Sequence, residues 1–375
     1  PALGDVELFA LAIAGSAAKV IAITGSNGKS TVTSMVGQMC AAAGLKTVMA
    51  GNIGLPVLDA LTATPDADVF VLELSSFQLE TTTSLNADAA TVLNISEDHL
   101  DRYKNLAHYA ATKAAIFAGT GVVVLNREDA HCLAMAAELE SRQIVWFGAD
   151  EPRTAAEYGL QGPEFTLGCG SEAFFNAADL PVAGLHNAVN ALSAIALCRA
   201  IGVETAPLVA ALKSFTGLAH RVEFVATVQG VAYFDDSKGT NVGATEAALK
   251  GMTRPVVLIA GGDGKGQDFR PLKAACERIC RAVILIGRDA PILAEALNEA
   301  QSPFIDTDDS DDSEAENLLP VLQLPTMEMA VQFASNFAES GDVVLLSPAC
   351  ASLDMYRNYH HRAEVFIAAV KGLGS

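Results

Sequence analysis

Apolar residues fall in short unbroken runs, each closed by glycine or polar residues and followed by a longer stretch at helical spacing. Lys19–Thr24 is such a run, followed by Gly25-Ser26-Asn27-Gly28-Lys29-Ser30-Thr31 and a helical pattern to Ala43. Thr47–Ala50, Asp68–Leu74, Ala89–Leu93 and Val122–Leu125 read as further strands, with a helix over Leu106–Phe117. Strands that are apolar throughout are covered on both faces, and their alternation with helices predicts βαβ units and a parallel sheet. Tyr158–Leu180 breaks the rhythm with Gly, Pro and aromatic residues and reads as a small antiparallel patch. Ala188–Ile201 is an alanine-rich helix, and the first domain closes at Gly217. A second α/β series follows, with strands at Val222–Val228, Val231–Phe234, Pro255–Ala260, Ala282–Ile286 and Val343–Leu346. No internal repeat is visible.

The length of 375 residues fits two domains better than one core. Hydrophobic residues make up 51% and the mean hydropathy is +0.31, which raises the question of a membrane. Runs such as Val256–Ala260 and Val283–Ile286 are strand-sized, far short of the ~20 residues of a spanning helix. Leu8–Ala18 is apolar but short and lacks a basic leader, which argues against a signal peptide. The formal charge of -20 argues against nucleic acid or an anionic membrane as partner, so a phosphate site has to be built locally. Seven scattered cysteines without a C-x-x-C pair fit reduced thiols in a cytoplasm, and Cys276 and Cys280 are expected on one helix face. The acidic run from Asp306 to Glu316 reads as a solvated loop.

The polar residues that interrupt these runs carry the chemistry. Gly25–Thr31 joins a strand to a helix: glycines let backbone wrap a phosphate, the helix N-terminus offers free N–H groups, Lys29 adds charge and Ser30 can ligate Mg²⁺. Its Gly-x-x-Gly-Lys-Ser spacing is two residues shorter than the common phosphate loop. Glu73 closes an apolar strand, where a carboxylate is either metal-bound or an ordinary charge at a strand edge. His99, in a carboxylate-rich turn, reads equally as structural, ligand or acid–base residue. Asp235–Asn241, Gly261–Gly266 and Ser347–Ser352 follow strands of the second series, and three polar loops of this kind imply a cleft between two domains. The glycine loop with Lys265 is a second anion site or a plain turn.

Several stretches together resemble the Mur ligases: Thr24–Ser30, Glu73–Gln78, Glu97–Arg102, Leu218–Arg221, Asp236–Lys238 and Gly261–Lys265. Gly51-Asn52-Ile53-Gly54 and Ser347–Asp354 point to the D-glutamate-adding branch, and the likeness covers essentially the whole chain. Folylpolyglutamate synthase, which shares the fold and the chemistry, is the nearest alternative. The resemblance implies an α/β fold: a P-loop central domain with a mostly parallel sheet (1–217), then a Rossmann-like C-terminal domain (218–375). It implies a cytoplasmic, monomeric enzyme that uses ATP and two Mg²⁺ ions, with UDP-N-acetylmuramoyl-L-alanine and D-glutamate as substrates. Gly25, Ser26, Asn27, Gly28, Lys29, Ser30 and Thr31 are then the phosphate loop, and Asn187, Asn190, Arg221 and Asp236 bind the nucleotide. Ser30, Glu73, His99 and a carbamylated Lys113 are the implied metal ligands. Lys29, Glu73, His99 and Lys113 make up the implied catalytic set. Lys238, Thr240, Lys265, Ser352, Leu353 and Tyr359 correspond to the amino-acid pocket, and Asn52, Ser75 and Gln78 to contacts with the muramoyl-alanine end. This sequence departs from the family at Gly239, where alanine is usual, and at Tyr359, where phenylalanine is usual. Gly4–Phe9 resembles the junction that follows a uridine-binding domain, so residues 1–9 are expected to be a remnant of that junction and the chain to lack that domain.

Overall fold

The computed structural model describes residues 3–99, 101–182, 184–298 and 319–374; the acidic run from Asp306 to Glu316 lies outside them. The chain divides into two compact units, residues 1–96 with 102–217, and residues 97–101 with 218–375.

The first unit is built on a nine-stranded sheet. Its strands are β1 Lys19–Thr24, β2 Thr47–Gly51, β3 Val69–Glu73, β4 Ala89–Val92, β5 Val122–Asn126, β6 Ile144–Phe147, β7 Tyr158–Gln161, β8 Thr166–Cys169 and β9 Glu172–Asn176. The spatial order is β2-β3-β1-β4-β5-β6-β7-β8-β9, with β1 to β6 all parallel. Alternate side chains of β1 feed two cores: Ile21 and Ile23 pack on one face, Val20 and Ala22 on the other. That double burial is why these strands read as unbroken apolar runs. The chain moves to β2 and β3 on one side of β1 and to β4 on the other. Strand order therefore reverses at β1, and ligands of open α/β sheets bind at such switch points.

The antiparallel patch is present as β7, β8 and β9, but it extends the main sheet, with β7 joined to β6 through Phe147 and Tyr158. The strand β6 has no counterpart in the sequence reading; at four residues beside polar neighbours it is too short to show a period. Near the N-terminus a helix, Asp5–Ile13, buries Val6 and Phe9 completely. Its buried Glu7 accepts hydrogen bonds from the Thr83 N–H (2.7 Å), the Ser84 N–H (3.0 Å) and the Thr83 hydroxyl (3.1 Å). The Ser84 side chain first, and then these backbone donors, hold its carboxyl down at about 2.

The second unit has six strands: β10 Glu223–Val228, β11 Val231–Asp235, β12 Val256–Gly261, β13 Cys280–Ile286, β14 Val321–Gln323 and β15 Val343–Leu346. Their order is β10-β11-β15-β12-β13-β14, with β10 antiparallel to β11 and the others parallel. The strands β11, β15 and β12 are neighbours, so the loops that follow them line one edge of the sheet. Cys276 and Cys280 do not share a helix face as expected. The helix Leu272–Ile279 ends between them and Cys280 opens β13. All seven cysteines are free thiols. Among the described residues, no helix is long and apolar enough to cross a membrane.

Candidate active site

The phosphate loop leaves β1 and ends at Gly28, which caps the helix Lys29–Ala42 in the left-handed conformation (φ 85°). A neighbouring segment holds it in place. The Ser26 N–H donates to the Asn94 carbonyl (2.9 Å), and the Asn27 N–H to Asn94 Oδ1 (2.8 Å). Asn94 Nδ2 donates back to the Asn27 carbonyl (3.1 Å), and the Ser96 N–H donates to Ser26 Oγ (2.9 Å). The loop after β4 is thus a strap across the loop after β1. Lys29 Nζ folds onto the Gly25 and Ser26 carbonyls (2.8 and 2.9 Å), which places its charge over the loop. Asn190 reaches the same turn from the helix Leu185–Ala200: a Cβ on Gly28 would stand 2.7 Å from Asn190 Oδ1. Asn187, one turn earlier, lies within 3.4 Å of Asn190 Nδ2 through its Oδ1.

Glu73 is 1% exposed at the end of β3. Asn52 Nδ2 donates to its Oε1 (2.7 Å), while Oε2 is buried without a hydrogen-bond partner. A carboxylate in that state calls for a cation. Beside it, Thr24 Oγ1 donates to the Leu74 carbonyl (2.6 Å) and receives Lys113 Nζ (3.3 Å). Lys113 is buried at 1% exposure, and its amine also stands 4.7 Å from the centre of the Tyr109 ring. The structure therefore brings Lys113, Thr24 and the end of β3 together. The orphaned Glu73 oxygen and the Ser30 hydroxyl at the helix start are the oxygen donors a hard cation such as Mg²⁺ takes, whereas Lys113 as an amine is not such a ligand. Ser75 and Gln78 are joined to each other. They form a reciprocal cap on the short helix Ser76–Leu79, in which the Ser75 N–H donates to Gln78 Oε1 (3.0 Å). His99 adopts a left-handed backbone (φ 55°) in the segment 97–101, which groups with the second unit.

In the second unit, Asp236 is buried and accepts a hydrogen bond from Ser347 Oγ (2.7 Å), linking the loops after β11 and β15. Burial pushes its carboxyl up to about 7, against the pull of that hydrogen bond and of the Arg221 charge. A Cβ at position 239 would stand 2.5 Å from Asp236 Oδ2, so Gly239 leaves room for the Asp236–Ser347 contact. Lys238 Nζ lies 4.0 Å from the centre of the Tyr359 ring, at the start of the helix Tyr359–Gly372. Thr240 closes the turn through its N–H to the Lys238 carbonyl (2.9 Å). The loops after β12 and β15 bridge at Asp263 and Ala351, next to Lys265 and Ser352. Ser352 is buried, whereas Leu353 is 72% exposed.

Sequence reading missed the roles of Asn94, Ser96 and Thr24 in the first unit and of Ser347 in the second. The available signal was positional: each is polar and stands at or just beyond the carboxyl end of an apolar strand next to a predicted loop.

The comparisons agree with this architecture. The Mur ligase middle domain matches residues 23–198, and the glutamate ligase domain of Mur ligases matches residues 220–350. The chain belongs to the Mur ligase family. Within it, a UDP-N-acetylmuramoylalanine–D-glutamate ligase of Chromobacterium violaceum is 56% identical over 98% of this chain and 78% of its own length. A protein of the same name from Methylobacillus flagellatus is 55% identical over 100% of this chain and 78% of its own. Among solved structures, MurF from Acinetobacter baumannii has a TM-score of 0.72 at 21% identity, covering 96% of this chain and 78% of that one. A Mycobacterium tuberculosis folylpolyglutamate synthase complexed with ADP and AMPPCP has a TM-score of 0.66 at 17% identity, covering 99% of this chain and 96% of that one. These two likenesses show the fold alone.

Two predictions follow from the geometry. Gly28→Ala adds left-handed strain of about 1–2 kcal/mol and a clash with Asn190, and calorimetry is expected to show ATP binding weakened by about tenfold or more. Gly44→Ala is the control: it has the same φ of 85° but no atom within 4 Å of the new Cβ, and ATP affinity is expected to stay at the wild-type value. Asp236 supplies a pH test. Its folded pKa of about 7 lies above the ordinary 3.8, so its contribution to stability is present below 3.8 and lost as pH rises through 7. Melting curves of Asp236→Asn are therefore expected to gain roughly 3 kcal/mol on wild type between pH 4 and pH 8. Parallel stability profiles would contradict the burial argument.

Proposed function

We propose that this chain is an ATP-dependent ligase that joins D-glutamate to the alanyl carboxylate of UDP-N-acetylmuramoyl-L-alanine, in cytoplasmic synthesis of peptidoglycan precursors. The observation that carries this reading is the match to D-glutamate ligases at 55–56% identity over 98–100% of the chain. The fold is shared with folylpolyglutamate synthase, so fold alone does not choose the substrate; the close relatives do.

In this reading the phosphate loop wraps the ATP phosphates with backbone N–H groups, and Lys29 supplies the point charge. Asn187 and Asn190 contact the adenine, and Arg221 and Asp236 complete the nucleotide contacts. Ser30, Glu73 and Lys113 are the first unit's metal-holding set, to which the family resemblance adds His99. Lys113 is a buried amine that carbamylation would turn into a carboxylate. Magnesium, when bound, supplies positive charge that screens the phosphates from the carboxylate they must meet. The alanyl carboxylate attacks the γ-phosphorus, ADP leaves, and an acyl phosphate forms. The amine of D-glutamate then attacks the acyl carbon, the amide bond forms, and phosphate departs with one oxygen of the original carboxylate. Lys238, Thr240, Lys265, Ser352, Leu353 and Tyr359 make the amino-acid pocket. Asn52, Ser75 and Gln78 serve the muramoyl-alanine end, with Asn52 also fixing Glu73.

The test uses UDP-N-acetylmuramoyl-L-alanine labelled with oxygen-18 in its carboxylate. Mass spectrometry is expected to find one label in each phosphate released, in a reaction that needs D-glutamate. A folate with L-glutamate is expected to release none. Unlabelled phosphate, or release with the folate pair alone, would overturn the proposal.

A further inference from the structure

Arg362 lies on the helix Tyr359–Gly372 and is 1% exposed, yet no carboxylate stands within ion-pair distance of it among the described residues. Its guanidinium is spent on two loops instead. Nε donates to Ser237 Oγ (3.0 Å) and Nη2 to the Ser237 carbonyl (2.8 Å). Nη1 donates to the Cys350 and Ala351 carbonyls (3.1 and 3.3 Å). Ser237 Oγ in turn donates to the Tyr359 carbonyl (2.8 Å), so the contact returns to the first turn of the same helix. Burial pulls the guanidinium down to about 10. A buried cation with no carboxylate in direct contact is costly, and a chain that needed only to join two loops could use a neutral side chain.

The groups it holds are flanked by the amino-acid pocket. Ser237 precedes Lys238, Ala351 precedes Ser352, and Tyr359 carries the ring against which Lys238 Nζ rests at 4.0 Å. The planar, five-donor fork of arginine fits several acceptors in fixed directions, which the single ammonium of lysine cannot reproduce. Its charge, offset only in part by the Asp354 and Asp235 carboxylates nearby, also adds positive potential beneath a pocket meant for an anionic substrate.

We propose that Arg362 is a positioning residue for the acidic amino-acid substrate: it fixes the spacing of Lys238, Ser352 and Tyr359 and supplies buried positive charge behind them. This rests on the D-glutamate reading given above. Arg362→Lys keeps the charge but loses the fork, and the KM for D-glutamate is expected to rise about tenfold or more while the KM for ATP stays within about twofold. Ser237→Ala removes only the hydroxyl between Arg362 and Tyr359, and a selective rise of about threefold or more is expected. Should Arg362→Lys fail to fold by circular dichroism, Ser237→Ala decides. Equal changes in both KM values, or no change in either, would overturn the inference. Wild type in the same assay separates the two ideas, since absence of D-glutamate-dependent phosphate release there would defeat the proposed function instead.

Discussion

A carboxylate oxygen buried without a donor sets the requirement around which the first unit is arranged. Glu73 Oε2 sits at the carboxyl end of β3, in the strand layer where water does not reach. Leaving it charged and unpartnered would cost more than a single hydrogen bond returns, which supports the proposal that a cation occupies this site. Asn52 fixes the other oxygen, Thr24 ties the end of β1 to Leu74, and Lys113 is buried against that threonine. Parallel strands make this possible, because they deliver every strand end, and every loop that follows, to one edge.

The phosphate loop at that edge is held by side chains rather than by its own glycines alone. Asn94 and Ser96 clamp Ser26 and Asn27, so the loop keeps its shape through contacts from the loop after β4. The second unit uses the same device with different groups. Ser347 links Asp236 to the last loop, and Arg362 ties that loop to Ser237. Both units therefore position their polar loops with side chains that reach across strand ends, half-buried in the first unit and buried in the second. Such groups are costly to bury and correspondingly strict about geometry.

Much of this was legible in the sequence because buried parallel strands write themselves as unbroken apolar runs. The bounds of β1 and β15 agree residue for residue with the reading, and Glu73 was singled out by its place at a strand end. What did not show were features set by tertiary contact. The burial of Lys113 depends on Thr24, which is 89 residues away in sequence, and Arg362 looks like any helix charge until Ser237, 125 residues earlier, is packed against it. The short strands β6 and β14 carry too few residues for a period to appear. The Cys276–Cys280 spacing misled because a helix and a strand meet inside it.

The most direct measurement is binding of Mn²⁺ in the presence of a non-hydrolysable ATP analogue, followed by electron paramagnetic resonance for wild type and Glu73→Gln. If the orphaned oxygen is a metal ligand, the variant binds Mn²⁺ about ten- to a hundredfold more weakly while its affinity for the analogue without metal is unchanged. Superimposable Mn²⁺ isotherms from two folded proteins would contradict it.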